Sequence, residues 1–295
     1  MSGRVDLHVH SDRSCDGDFS PAELVRMAAD IGLRAISITD HDSVAAYPEA
    51  VALGQEAGVE MIPGMEITTL YDEREFHLLL PFVDWTREAV FRIVDHMSVA
   101  REHEARERVS RLQELGLPLT WEEVRAVTDG APPLGVKIAQ ILLDKPESAA
   151  DPRLAAYFKS DRRPYAPYHF YQDYFAEGKP AYVSKNHIAL VDVLALAPAT
   201  GGVPVLAHPG AYFQRTTPED LETLKKKGLA GLEVYTTYHS PEQTALYRGW
   251  AREFDLVATA GSDFHGRIKP RVVLGGVKEG DYGMVEALKE RRASP

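Results

Sequence analysis

Short runs of apolar residues alternate with longer amphipathic stretches along most of the chain. Apolar runs of this length, bounded by turn residues, predict buried strands, whereas the amphipathic stretches predict helices. The predicted strands are residues 4–9, 35–39, 59–67, 76–83, 203–207, 231–235 and 256–260. Strands that alternate with helices are typical of repeated βα units, so we expect an α/β fold with a largely parallel sheet.

Capping residues mark where several helices begin. Ser20-Pro21-Ala22-Glu23 combines an N-cap serine, a proline at the first helical position and a capping-box glutamate. Similar signals occur at Thr217-Pro218-Glu219-Asp220, Ser240-Pro241-Glu242-Gln243 and Thr120-Trp121-Glu122-Glu123. Further helices are predicted at residues 43–57, 86–115 and 188–197.

The middle of the chain differs from both ends. Residues 86–115 are crowded with Arg and Glu, and residues 151–179 are rich in Pro, Tyr, Lys and Arg without a clear period. At 295 residues the chain has the length of one α/β barrel with an addition. We therefore expect a barrel formed by residues 1–84 and 186–295, and a mostly helical insertion of residues 85–185 that covers its site.

Composition narrows the functional classes. Hydrophobic residues make up 44% and charged residues 26% of the chain, which is typical of a globular protein. The formal net charge of -11 disfavours binding to long duplex nucleic acid. No apolar run approaches the roughly 20 residues that span a bilayer, and no signal peptide is recognisable. The single cysteine, Cys15, fits a reducing compartment. Together these features lead us to expect a cytoplasmic protein without a membrane partner.

Imidazole and carboxylate side chains occur at the ends of the predicted strands. His8 and His10 lie two residues apart and therefore on one side of the first strand. Barrel enzymes keep their sites at strand ends, and this donor set suits zinc, iron or manganese. Taken singly, such a residue is as readily a structural histidine or a helix cap. The other candidates are Asp16, Asp40, His41, Glu66, His77, His208, Asp263 and His265.

Six segments carry a family resemblance. DLHVHSDRSCDG, ITDHDS, GMEI, FHLLL, LAHPG and GSDFHG together resemble the PHP family, named for polymerase and histidinol phosphatase. The resemblance implies a distorted (β/α)7 TIM-like barrel and a cluster of two or three divalent ions, Mn2+, Zn2+ or Fe2+. It covers both ends of the chain, and the middle third matches only loosely.

The resemblance also implies a role for each donor. His8, His10, Glu66 and Asp263 would hold one ion. Glu66 would bridge to a second ion, held by His77 and His208, and a third would be held by Asp16, His41 and His265. In this scheme a metal-bridging hydroxide attacks a phosphate ester, with Glu66 and Asp263 as catalytic residues. Asp40 is expected to orient a ligating imidazole.

Within the family, a helical insertion at this position resembles phosphatases of nucleoside 3′,5′-bisphosphates and of short RNA 5′ ends. The expected substrate is therefore a small, nucleotide-like phosphate monoester. Such relatives carry an Arg-x-His step where this chain has Gly135-Val136-Lys137. His239 is a candidate general acid, and the candidates for binding the second phosphate are Lys137, Lys179, Tyr212 and Arg215.

Two other functions fit the same residues. The metal site could serve a small metabolite such as histidinol phosphate, or the chain could be a non-catalytic metal-binding module of the PHP type. A substrate panel separates the two enzymatic hypotheses. Metal content and activity separate both of them from the module.

Overall fold

The computed structural model describes residues 3–128, 131–159, 161–211 and 213–292. The strands are β1 (Val5–Val9), β2 (Ala35–Ile38), β3 (Glu60–Met61), β4 (Glu66–Tyr71), β5 (Arg74–Leu79), β6 (Val205–Leu206), β7 (Gly231–Thr236) and β8 (Val257–Gly261). The helices are α1 (Pro21–Asp30), α2 (Glu49–Ala57), α3 (Glu88–Glu114), α4 (Trp121–Thr128), α5 (Gly135–Leu143), α6 (Ala166–Phe170), α7 (Leu190–Thr200), α8 (Pro218–Lys226), α9 (Pro241–Glu253) and α10 (Tyr282–Glu290). The predicted α/β class is confirmed.

The strands form two sheets that adjoin at two places. One sheet has the order β1-β2-β3 and is parallel, and the other has the order β4-β5-β6-β7-β8. Val9 at the end of β1 forms a parallel bridge with Phe264, just beyond β8, and His41 beyond β2 forms one with Glu66. The ends of β1 and β2 therefore lie beside the second sheet, and candidate donors from both sheets come together there.

The predicted strand 59–67 is wrong as a single element. Residues 62–65 separate β3 from β4, and Gly64 packs so closely that a Cβ would lie 2.5 Å from Ser37 Oγ. Pro63 has no amide hydrogen to donate to a sheet. β4 instead continues to Tyr71 and returns as β5 through Asp72 and Glu73, which have φ angles of 47° and 60°. Two positive φ angles are what a tight hairpin turn requires.

The prediction of a largely parallel sheet also needs correction at β5. This strand runs antiparallel to both β4 and β6, whereas β6, β7 and β8 are parallel. The cause is the two-residue hairpin between β4 and β5, because a turn this short can join only antiparallel strands. As a result His77 enters the site from the middle of a strand.

The hydrophobic core has separate clusters. The largest includes Ile67, Phe76 and Leu232 and packs the second sheet against α3, α7, α8 and α9. Another cluster contains only residues between 105 and 181. An inserted domain is expected to have a core of its own. The boundaries of the insertion at residues 85 and 185 stay a prediction. Among the described residues, no helix has the length and apolarity needed to cross a bilayer.

Candidate metal centre

The strand ends bring the nine predicted donors to one place. His8 and His10 lie on β1, and Glu66 begins β4. Loops that follow β1, β2, β6 and β8 supply the other donors, apart from His77, which lies on β5. Seven of the nine residues are buried, and the remaining two, His41 and His77, have side chains only 11% and 13% exposed.

Four donor atoms lie at the separations expected around one ion. His8 Nε2 and His10 Nε2 are 3.1 Å apart. They lie 3.3 and 3.2 Å from Glu66 Oε2, and 3.4 and 3.2 Å from Asp263 Oδ1. Donor atoms about 2.1 Å from a shared ion lie roughly 3.0–3.4 Å from one another. His8, His10, Glu66 and Asp263 therefore fit a single cation.

Glu66 joins this group to a second one. Its Oε1 lies 2.8 Å from His77 Nδ1 and 3.1 Å from His208 Nε2. Its Oε2 lies 3.2 Å from His41 Nδ1, in addition to the β1 histidines. Because the two oxygens of one carboxylate face different histidines, Glu66 can bridge two cations.

A third group forms around Asp16. Asp16 Oδ2 lies 3.3 Å from His265 Nε2 and 3.6 Å from His41 Nε2. His10 is also close enough to join this group. The structure therefore brings together the three residues that the family resemblance assigns to a third ion.

Unpaired buried atoms test whether cations fit here. Glu66 Oε2 and His41 Nδ1 are buried, and among the described residues neither makes a hydrogen bond, although the two atoms are 3.2 Å apart. An unsatisfied buried polar group costs roughly 1–3 kcal/mol, and more when it is charged. A coordinated cation would satisfy both atoms, so the residues present fit a cluster of divalent ions.

The electrostatic environment keeps the carboxylates ionised. Burial alone would raise the pKa of Glu66, but the charges of His41, His8 and His77 outweigh it and hold this pKa well below its usual range. Burial likewise opposes ionisation of Asp263, and the Lys269 ammonium, together with His8, holds its pKa well below the usual range. Ionised carboxylates are the form that binds metal.

Comparison with known proteins agrees with this geometry. The family model described as the PHP domain matches residues 6–177, more than half of the chain. The chain belongs to the PHP domain family. Asp263 and His265 lie beyond the matched residues, and the structure brings them to the same cluster.

Two curated relatives match nearly the whole PHP protein. A 5′-3′ exoribonuclease of Haemophilus influenzae is 28% identical over 90% of this chain and 91% of its own length. A 3′,5′-nucleoside bisphosphate phosphatase of Chromobacterium violaceum is 28% identical over 88% of this chain and 87% of its own.

Solved structures share the fold. A protein of Bifidobacterium adolescentis, proposed to be a metal-dependent phosphoesterase, superposes with a TM-score of 0.84 at 28% identity, covering 98% of this chain and 96% of its own. An amidohydrolase of Chromobacterium violaceum, with sulfate bound and no metal, superposes with a TM-score of 0.80 at 25% identity, covering 99% and 98%.

Glu233 is a site residue that the sequence reasoning missed. It is fully buried on β7, and its two carboxylate oxygens accept hydrogen bonds from His8 Nδ1 at 3.0 Å and from the His208 amide at 2.8 Å. A carboxylate that holds the far nitrogen of a ligating imidazole fixes its tautomer and orientation. The available signal was an acidic residue within the apolar strand 231–235.

The hydrogen bonds of the Asp40 side chain lead to serines in the loop after β1. It accepts hydrogen bonds from the Ser11 amide and hydroxyl at 2.7 and 2.6 Å and from the Ser14 hydroxyl at 3.0 Å. Burial raises the pKa of Asp40 to about 6. Asp40 therefore organises the loop that leads to Asp16, and its predicted role towards a ligating imidazole stays a prediction.

Gly261 at the end of β8 leaves the space that His8 needs, and its substitution is a sharp test of this packing. A Cβ at Gly261 would lie 2.2 Å from His8 Cβ and 2.4 Å from Glu233 Oε1. We expect Gly261→Ala to lower the unfolding free energy by about 1–3 kcal/mol and to weaken metal binding. Thermal unfolding and metal analysis measure both effects. Gly249→Ala is the matched control, because its Cβ meets no atom within 4 Å; equal behaviour of the two variants would contradict the packing.

The cluster opens into a cavity of about 940 Å³. Its wall includes Arg101, Arg108 and Tyr171 from the segment 85–185, and Lys185 at the end of that segment. Lys269, a further residue that the sequence reasoning missed, also lies there; its ammonium pairs with Asp263 and lies 3.1 Å from the Tyr238 hydroxyl.

The predicted substrate-binding residues are only partly in this cavity. Arg215 lines it, whereas Lys137 does not and Lys179 is exposed outside it. Tyr212 lies outside the described residues. His239 is not in the cavity wall: its Nε2 accepts from the Gly210 amide at 3.0 Å and its Nδ1 donates to Val234 O at 2.9 Å. Both ring nitrogens are therefore occupied, so its position gives no support to the predicted role as an acid.

Cys15 has no features of a nucleophile. Its thiol is buried, and burial together with the neighbouring Asp16 raises the pKa of this thiol to about 12. A thiol of this pKa is protonated at neutral pH and therefore unreactive.

Proposed function

We propose that this protein hydrolyses a phosphate monoester of a nucleotide-like substrate, either a nucleoside 3′,5′-bisphosphate or the 5′ end of a short oligonucleotide. The broader class, a metal-dependent phosphoesterase, follows from the PHP family, its phosphoesterase relatives and the donor clusters. The observation that carries the proposal is the convergence of nine donors at a cavity of about 940 Å³, within the size range of small-molecule sites.

The proposed ligand sets keep the assignment implied by the resemblance. His8, His10, Glu66 and Asp263 would hold one ion, and Glu66, His77 and His208 would hold a second. Asp16, His41 and His265 would hold a third. Manganese, zinc or iron suits this mixture of nitrogen and oxygen donors. Such ions supply an acidified water and neutralise the negative charge of a phosphate.

The chain's own residues position these groups. Glu233 holds the ring of His8, and Glu75 lies 3.4 Å from His77 Nε2, on the side opposite Glu66. Lys269 places an ammonium beside Asp263 in the cavity wall, where it can bind a phosphate oxygen. Together they hold the donors and present a positive charge to an anionic substrate.

We also propose that the two sheets together form one closed barrel. Two parallel bridges join the two sheets, one from Val9 to Phe264 and the other from His41 to Glu66. A closed, distorted (β/α)7 barrel would have this connectivity. The antiparallel β5 accounts for part of the distortion.

The nucleotide preference is supported by the relatives, and the net charge limits the size of the substrate. The relatives named above are an exoribonuclease and a nucleoside bisphosphate phosphatase. The net charge of -11 disfavours a long nucleic acid but permits a small anion near bound cations.

A substrate panel tests the proposed preference. With Mn2+ supplied, we expect kcat/KM for adenosine 3′,5′-bisphosphate to exceed that for histidinol phosphate by roughly a hundredfold or more, because the larger nucleotide can make more contacts in the cavity beyond the cluster. Release of inorganic phosphate measures both reactions. A preference for histidinol phosphate would support the metabolite phosphatase instead. Bound metal without hydrolysis of either substrate would support the non-catalytic metal-binding module.

A further inference from the structure

Glu75 and Lys185 form an ion pair beside the donor cluster. Glu75 lies on β5 two residues before His77, so the two side chains lie on the same side of that strand. The Lys185 ammonium pairs with Glu75 Oε2, and all three side chains line the cavity. The side chains of Glu75 and Lys185 are each only 17% exposed. The pair is therefore largely shielded from water, and it adjoins one of the predicted metal ligands.

The two oxygens of the Glu75 carboxylate face different partners. Oε2 accepts from Lys185, whereas Oε1 lies 3.4 Å from His77 Nε2. The other ring nitrogen of His77, Nδ1, lies 2.8 Å from Glu66 Oε1, on the side of the cluster. A neutral imidazole has one donor nitrogen and one acceptor nitrogen. If His77 binds metal through Nδ1, its Nε2 carries the proton, and Glu75 Oε1 is placed to accept it.

His8 has the same arrangement with its two nitrogens exchanged. Its Nε2 faces the cluster, and its Nδ1 lies 3.0 Å from Glu233 Oε1. By contrast, the Nδ1 atoms of His10 and His208 are buried and have no hydrogen-bond partner within the described part of the chain. A carboxylate at the far nitrogen of a ligating imidazole fixes the tautomer and the orientation of the ring. His77 and His8 each have such a carboxylate.

Lys185 reaches Glu75 from the end of the segment 85–185. The chain that follows Lys185 lies along β4, where Leu70 forms a parallel bridge with Ala189. Leu70 is also the partner of Glu75 in the antiparallel register of β4 and β5. Backbone pairing therefore holds the returning chain against the strand pair, and this places the lysine beside the glutamate.

The charge of Lys185 also removes a conflict in the cavity. Glu75 lines a cavity that is proposed to accept a phosphate, and an unpaired carboxylate there would repel this anion. The ammonium neutralises that charge and binds only one of the two carboxylate oxygens. The other oxygen stays available for the imidazole of His77.

We propose that Glu75 is a positioning residue for His77 and that Lys185 acts through Glu75. Glu75 accepts from His77 Nε2 and leaves Nδ1 for the ion that His77 would share with Glu66, while Lys185 holds the carboxylate in place. This inference rests on the metal centre of the proposed function. It adds two side chains to which the family resemblance gives no role.

Metal titration of the full chain tests the role of Glu75 without any substrate. Metal-depleted protein is titrated with Co2+, and calorimetry with the visible absorption of bound Co2+ gives the number and affinity of the ions. We expect Glu75→Ala to weaken one ion by about 10–100-fold and to leave the others nearly unchanged. Glu75→Gln should lose less, because its amide oxygen can still accept from Nε2. Equal losses for every ion, or no loss for any, would overturn the positioning role.

A double-mutant cycle tests whether Lys185 acts through Glu75. Lys185→Met should weaken the same ion by about threefold or more, and the double variant with Glu75→Ala should lose no more than Glu75→Ala alone. Additive losses would show that Lys185 acts independently, which overturns its part in the proposal. A raised KM for p-nitrophenyl phosphate in Lys185→Met at unchanged Co2+ affinity would overturn it too, because Lys185 would then contact the substrate.

Lys226 and Glu222 provide matched controls. They form an ion pair on α8 with side chains 70% and 58% exposed, and neither lines the cavity. Lys226→Met and Glu222→Ala should therefore bind Co2+ as the wild type does. Circular dichroism checks the fold of each variant. Glu75→Gln keeps the size of the side chain, so it decides the comparison if Glu75→Ala does not fold.

The same titration separates this inference from the proposed function. Wild-type protein that binds Co2+ but hydrolyses no phosphate ester would contradict the proposed function alone, since the affinities are measured without substrate. Wild-type protein that binds no Co2+ would contradict both. Variants that bind every ion as the wild type does, in a protein that hydrolyses its substrate, would contradict only the positioning role.

Discussion

Glu66→Gln is expected to lower kcat by about a thousandfold or more while the protein stays folded. The Glu66 carboxylate faces two groups of histidines. Charge stabilisation by metal ions contributes several kcal/mol to catalysis, and each 1.4 kcal/mol is about a tenfold change in rate. Glutamine has nearly the same shape but no charge. It would therefore remove the proposed bridge between two cations with little change in packing.

Steady-state kinetics, circular dichroism and elemental analysis of the variant measure this effect. We expect an unchanged spectrum, at least one metal ion fewer per chain and no detectable turnover. His96→Ala is the control, because His96 is exposed on α3 and lies outside the cavity. Activity of Glu66→Gln within tenfold of the wild type would contradict the bridging role.

Removal of metal is expected to lower the melting temperature by about 5–10 °C. Asp16, Glu66 and Asp263 are buried together, and bound cations would relieve their mutual repulsion and satisfy Glu66 Oε2. A ligand at a concentration a hundredfold above its Kd stabilises the folded state by about 2.7 kcal/mol. Each 1 kcal/mol shifts the melting temperature by roughly 2–4 °C in a protein somewhat smaller than this one.

Thermal unfolding in chelator and after addition of Mn2+ measures the shift. Glu66→Gln should show a smaller increase on addition of Mn2+ than the wild type, since one bridging ligand is lost. A melting temperature that stays the same with chelator and with Mn2+ would argue against a metal cluster at these residues.

Much of the local structure could be predicted from residues close together in the chain. The capping boxes at Ser20, Thr217 and Ser240 are confirmed, with both reciprocal hydrogen bonds present in each. The long helix predicted at 86–115 is confirmed as α3, Glu88–Glu114. These signals involve neighbours within one turn or one amphipathic face, so a short window contains all the relevant information.

Other features escaped prediction because they depend on distant residues. Residues 62–65 interrupt the predicted strand 59–67, and Gly64 among them packs on Ser37, whereas helix α2 begins at Glu49 rather than near 43. Glu233 lies 225 positions from the His8 that it orients, and Arg108 lies 27 positions from the Gly135 that makes room for it. No periodicity relates such pairs.

The sequence by itself therefore determined the α/β class and the set of metal-type donors, because strand ends in βα units meet at one edge and the donor residues follow those strands directly. Tertiary structure alone decided which carboxylate orients His8, which positively charged side chains line the cavity and where β5 reverses direction. The physical reason is that burial and pairing are set by contacts across the fold, and these fix the final environment of each charge.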